Sequence, residues 1–307
     1  MNLPAMTTGT WTLDGISFNT GPDENGFSYM VKKHKGWTGG PPSRPELIDR
    51  PSDHGAYRSS NYDAPRVVEL AGIARCTSWA DRDALGDSLA GLCRDPDLTY
   101  ALTRTERSRT LQAFVERTTG TDVTEMPDGF TVSFNISVIA SETRKYSTEV
   151  KTASTSLAQA ALLGVAWDGP AIPITGTEWD GPAIPITGVV WQASSGVSGV
   201  IDIDNDGTAP TPVLFTITGP PSGTLLMPTI SDTRGNVLIY NGSMVTGDVL
   251  TIDTATGLCL LNGYQVGGLM SRSDFFEVPA RTTLSVQFSA SGSADGSGLL
   301  AQWSDAY

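Results

Sequence analysis

Turn-forming residues interrupt this chain so regularly that long helices have no room to form. It holds 33 glycines and 19 prolines, about a sixth of its 307 residues, and both punctuate a backbone rather than extend it. Between the interruptions, apolar and polar residues alternate. Phe130–Val138 reads FTVSFNISV, and Val213–Thr218, Val237–Tyr240, Val249–Asp253, Leu258–Leu261 and Thr283–Ser289 repeat the pattern. Their turns recur about every 8–12 residues, the signature of a sandwich or jelly roll. The fold class expected is mainly β.

The length suggests two domains, and the charge shows where they divide. Residues 1–150 carry 16 basic and 20 acidic side chains, whereas 151–307 carry 4 and 13. So abrupt a shift, from charge-rich to charge-poor, marks a boundary near Val150.

Several function classes are excluded or disfavoured. The longest apolar run, around Leu157–Trp167, is shorter than the ~20 residues of a membrane span and contains Gln159. MNLPAMTTGTW lacks a basic region followed by an apolar one, so no secretory signal is expected. Three cysteines without CxxC spacing (Cys76, Cys93, Cys259) make neither a disulfide scaffold nor a zinc site, and fit a reducing cytosol. A net charge of −13 opposes specific nucleic-acid binding, which needs clustered Lys and Arg.

The first half reads as strands around one helix. Thr10–Phe18 predicts two short strands about an Asp14-Gly15 turn. Residues 21–65, with Gly39-Gly40-Pro41-Pro42 at the centre, read as a long loop, either disordered or functional. Arg66–Ile73 predicts a strand. A helix is expected over Ala80–Cys93, capped by Ser78, with Leu85, Leu89 and Leu92 on one face. Strands at Leu98–Thr103, Arg109–Arg117 and Gly129–Ala140 follow, the last two as a hairpin whose tip holds Gly120 and Pro127.

WDGPAIPITG occurs twice, at Trp167–Gly176 and Trp179–Gly188, and Trp191 follows. Two ten-residue copies are too few and too short for a solenoid, so a duplicated surface loop is expected at 167–188.

Chemical motifs are weak. Gly86-Asp87-Ser88-Leu89 spells an esterase signature, but Ser88 falls inside the expected helix rather than on an exposed turn. Both histidines, His34 and His54, precede it in the chain. The Asp53-His54 neighbours lack a nucleophile. Asp202, Asp204, Asp206 and Gly207 match half of a calcium loop, yet Val213 stands where a bidentate Glu belongs. No cofactor, metal site or catalytic residue is expected, and the chain is not read as an enzyme.

The order of signals at both ends resembles a known family. Trp11-Thr-Leu-Asp14-Gly15, Phe18-Asn19-Thr20, Gly36-Trp37, Pro41-Pro42, Arg44, Asp53-His-Gly55-Ala56-Tyr57, Tyr62 and Pro65-Arg66-Val-Val come first. Asn205-Asp-Gly207, Pro212-Val213, Ile217-Thr-Gly219-Pro220, Gly247-Asp248, Ile252-Asp253-Thr254, Leu261-Asn262-Gly263, Phe275-Phe276 and Trp303-Ser-Asp305-Ala306-Tyr307 complete the set. This ordered set resembles the distal tail proteins of siphovirus bacteriophages, grouped with minor tail proteins. The duplicated decapeptide departs from the family pattern, as does Pro279-Ala280-Arg281.

The resemblance implies an N-terminal, ring-forming β-rich domain with one helix (1–150) and a C-terminal galectin-like β-sandwich or jelly roll (151–307). It implies a structural virion protein at the distal end of the phage tail, made in the host bacterial cytoplasm. Six copies would form a homohexameric ring joining the tail tube protein to the baseplate hub or tail-associated protein. The tape measure protein and receptor-binding or other minor tail proteins are further candidate neighbours, without membrane contact. Trp37, Arg44, Tyr57 and Tyr62 are the candidate intersubunit contacts, because aromatic and Arg anchors carry much interface energy. The alternative is a carbohydrate-binding module attaching to host cell-wall saccharide through Trp167, Trp179 and Trp191.

Overall fold

The computed structural model describes residues 9–157, 164–166, 190–192, 199–291 and 296–307. The chain divides into two compact units: Met1–Val150 with Gly207–Ala209 and Ser304–Tyr307, and Lys151–Asp206 with Pro210–Trp303. Two short segments of the second half thus belong with the first unit.

In the first unit, β1 (Thr10–Leu13) and β2 (Ile16–Phe18) pair across Asp14 (φ 46°) and Gly15 (φ 79°). Positive φ at both turn residues matches the twist of the strands they join. The strands β3 (Ser28–Lys35), β4 (Ser43–Asp49), β5 (Ala56–Asp63) and β6 (Arg66–Arg75) follow. After the helix α1 (Arg82–Ala90) come β7 (Tyr100–Thr105), β8 (Thr110–Arg117), β9 (Asp122–Glu125), β10 (Thr131–Ala140) and β11 (Tyr146–Ser147).

One sheet runs in the order β2-β1-β7-β8-β10-β6-β3, with β11 on β8 and β9 on β10. Its buried side chains form a single core with α1, including Trp11, Phe18, Leu70, Leu102 and Leu111 with Leu85 and Leu89. Fully burying such side chains stabilises the fold by roughly 1.5–3 kcal/mol each.

The helix is shorter than its apolar spacing predicts. A 3-10 turn at Trp79–Asp81 precedes it, and Ser78 accepts a hydrogen bond from the Ala80 amide. It ends at Ala90, because Gly91 caps it and Cys93 enters the left-handed region (φ 50°). The Cys93 amide donates to Asp14 at 2.8 Å.

Two expectations for this half are corrected. Residues 21–65 are not one long loop, for they contain β3, β4 and β5. The expected hairpin of Arg109–Arg117 with Gly129–Ala140 is also absent, since β8 meets β10 only at Arg117 and Glu116. The polar run around Gly120 ends β8, and β9 turns back on β10 through Asp128, which accepts from Phe130 and Thr131. Ten consecutive pairs join the other edge of β10 to β6.

The second unit is a two-sheet antiparallel sandwich. One sheet orders Lys151–Ser156, Gly298–Trp303, Leu214–Thr218, Val249–Asp253, Leu258–Leu261 and Tyr264–Gln265. The other orders Val200–Asn205, Thr282–Ser289, Thr229–Asp232, Val237–Tyr240 and Met270–Ser273. Every second residue faces one shared core, among them Ile203, Phe215, Ile217, Val286 and Phe288. Trp303 Nε1 donates to the Asp204 carbonyl at 2.7 Å, tying the two sheets together. Gly164–Ala166 and Val190–Gln192 form a separate two-stranded ladder.

Candidate assembly surface

The stretch between β3 and β6 is built from an anchored root and a projecting ribbon. At the root the chain turns at Gly36 (φ 82°), where an added Cβ would collide with the Val67 carbonyl. Only glycine fits both constraints. Trp37 then inserts into the core, fully buried, edge-on to Trp11 at 5.2 Å.

Two buried cations hold this root. Arg66, only 3% exposed, donates to the carbonyls of Gly36 (2.9 Å), Gly39 (2.7 Å) and Thr143 (2.9 Å). Lys145 Nζ donates to the Trp37 carbonyl at 3.0 Å and lies over the Trp37 ring at 5.4 Å. Burial pulls the Lys145 ammonium down to about 8, and Arg66 and Arg109 add repulsion. Arg66 is lowered too, by burial. Main-chain pairs between Lys145 and Tyr307 (2.8 and 2.7 Å) bring the Tyr307 ring under Arg109 at 4.7 Å.

Beyond the root, Ala64 donates to the Pro42 carbonyl at 2.7 Å and closes the base of the β4–β5 ribbon. The strands pair from Ser43↔Asp63 to Asp49↔Ala56, with a bulge between Pro45 and Leu47. Among the described residues they join no larger sheet. Ile48, Tyr57 and Tyr62 are 61%, 58% and 64% exposed. Arg44 is exposed on β4, and Arg50 lies over the Tyr57 ring at 5.2 Å. A lone two-stranded ribbon is marginal in water, and its open edges and aromatic faces suit pairing with another chain.

Of the four residues expected at a subunit contact, three sit on this ribbon. Trp37 is a correction. It is a core residue of its own subunit, with no surface to offer a neighbour. Sequence reasoning also missed Arg66, Arg109, Arg144 and Lys145, which line one cleft of about 390 Å³ with Asp63 and Tyr307. Arg144 pairs with Glu142 at 2.7 Å.

The remaining expected sites are placed as follows. Trp167 and Trp179, with the duplicated decapeptide, lie outside the described residues; Trp191 pairs with Val165 in the separate ladder. Asp204 and Asp206 accept from Lys151 Nζ at 2.6 and 2.9 Å, and Asp202 accepts from Ser285 at 2.6 Å. An ammonium thus occupies the place a calcium ion would take, and Val213 is buried in the core. Ser88 neighbours the Tyr29 hydroxyl at 3.4 Å, whereas His34 contacts Arg104 and Thr38, and His54 lies on the ribbon's turn.

Residues 206–304 match the family model described as siphovirus-type tail component, C-terminal domain. The whole chain is similar in fold to the crystal structure of the SPP1 Dit (gp 19.1) protein, described as a paradigm of hub adsorption apparatus in Gram-positive infecting phages. The TM-score is 0.63 at 12% identity, over 97% of this chain and 99% of that one. Two structures of the phage p2 baseplate in its activated conformation, with Ca and with Sr, match at TM-score 0.50. Their identities are 9% and 10%, over 96% of this chain and 97% of those chains. No curated protein matches.

Proposed function

We propose that this chain, a siphovirus-type distal tail protein, is a structural ring component that joins the tail tube to the baseplate hub. The observation that carries this reading is end-to-end: both units are present, in order, in a fold shared with an adsorption-hub protein. The role is assembly, not turnover.

In this reading six copies close a ring through head-to-tail contacts. The β4–β5 ribbon reaches the adjoining copy, with Arg44, Tyr57 and Tyr62 as its grip. The tail tube protein lies on one side, with the hub or tail-associated protein on the other and the tape measure protein as a further neighbour. The second unit carries receptor-binding or other minor tail proteins at the periphery. The protein is then placed at the distal end of the virion tail.

Size-exclusion chromatography with light scattering tests the copy number. The expected species has six times the mass of one chain, at least when the neighbouring tail protein is supplied. A monomer under both conditions overturns the ring.

A further inference from the structure

The cleft at the ribbon's root is the most unusual electrostatic feature of the first unit. A chain with a net charge of −13 here places four cations, Arg66, Arg109, Arg144 and Lys145, around about 390 Å³ with one carboxylate, Asp63. Arg109 is paired with Glu106 and Arg144 with Glu142.

The two most buried cations make the imbalance costly. Arg66 and Lys145 spend their hydrogen bonds on main-chain carbonyls rather than on carboxylates. Buried charges ordinarily have a partner of opposite sign. Asp63 and Glu106 offset part of the charge on Arg66 and Lys145, but Lys145 still feels repulsion from Arg66, Arg109 and Arg104. An anion entering the cleft would relieve that repulsion in surroundings where the dielectric is low.

We propose that this cleft is a binding site for an acidic peptide segment, whose side-chain carboxylates meet Arg109 and Lys145. Two observations select a peptide over a nucleic acid. The volume admits one or two side chains, at the small end of ligand pockets. The cations line a concavity, not the extended exposed ridge that tracks a phosphate backbone. Arg109 is the gatekeeper, because its side chain is 44% exposed and held in place by Glu106 at 3.3 Å and by the Tyr307 ring. This site stands independently of the ring reading, since any tail component with an acidic segment could fill it.

Titration calorimetry on the full chain at low salt tests the proposal. The probes are a capped hexaglutamate peptide, a capped hexaglutamine peptide and a hexathymidine oligonucleotide. Hexaglutamate should bind, hexaglutamine should not, and the oligonucleotide should bind at least tenfold more weakly than hexaglutamate. Arg109→Gln should weaken hexaglutamate about tenfold, the scale of one charge-assisted hydrogen bond. Lys145→Gln should do the same; should it fail to fold, Arg144→Gln takes its place, with folding checked by circular dichroism. No hexaglutamate binding at about 1 mM, equal binding of the oligonucleotide, or folded variants with unchanged affinity overturns the site.

Discussion

Lys145 shows how one side chain can both anchor a fold and burden it. Its stem is buried beside Trp37 and its ammonium reaches the Trp37 carbonyl, yet its proton is held less tightly than in an ordinary lysine, at about 8 rather than 10.5. Between those values the unfolded chain binds the proton more strongly than the folded one, so stability attributable to this residue rises with pH across that window. Cys93 acts in the opposite direction, because burial pushes its thiol up to about 11. The clean measurement is therefore a difference. Urea unfolding of the wild type and of Lys145→Met at pH 7 and pH 10 should show the wild type gaining on the variant, by about 1–3 kcal/mol. A pH-independent difference refutes it. Next to this residue, Gly36→Ala forces a Cβ into the Val67 carbonyl at positive φ. It should destabilise by more than about 1 kcal/mol, visible as a lower urea midpoint at unchanged slope.

At the scale of elements, the β4–β5 ribbon makes a separable prediction. Among the described residues its strands pair only with each other, so Tyr57→Ser with Tyr62→Ser should leave the folded subunit within about 0.5 kcal/mol of wild type. The same pair should shift the light-scattering mass toward monomer; retained assembly would remove the ribbon from the interface. This element also marks where the sequence became hard to read. The β1–β2 turn, the helix face of Leu85 and Leu89 and the strands of the second unit were legible, because alternation and turn chemistry act over a few neighbouring residues. The ribbon was not: SRPELID and AYRSSNYD are polar on both faces, as a ribbon with no core beneath it must be, so period-2 alternation never arises. Trp37 was misread for the opposite reason. A Gly-flanked aromatic in a polar stretch looks exposed, and it is the distant core, Trp11 and Lys145 among it, that buries it. The cationic cleft gathers Arg66, Arg109 and Lys145 from three places in the chain, a convergence that tertiary pairing alone creates.

For the whole molecule, the charge sets a condition on assembly. Each chain carries −13, so six copies would gather −78 into one ring. At an ionic strength of about 10 mM the screening length is about 30 Å, long enough for neighbouring copies to repel as whole bodies; at about 150 mM it falls to about 8 Å. In the proposed ring, contacts through Tyr57, Tyr62 and Ile48 would depend on apolar burial, which salt at this level hardly weakens. The two effects act in the same direction. At fixed protein concentration, the sixfold species should become more populated as sodium chloride rises across that range, read by mass photometry or light scattering. Were the subunits joined mainly by opposite charges, screening would instead dissolve the ring. A population that falls with salt would thus move the grip from the exposed aromatics of the ribbon to ion pairs across the subunit boundary.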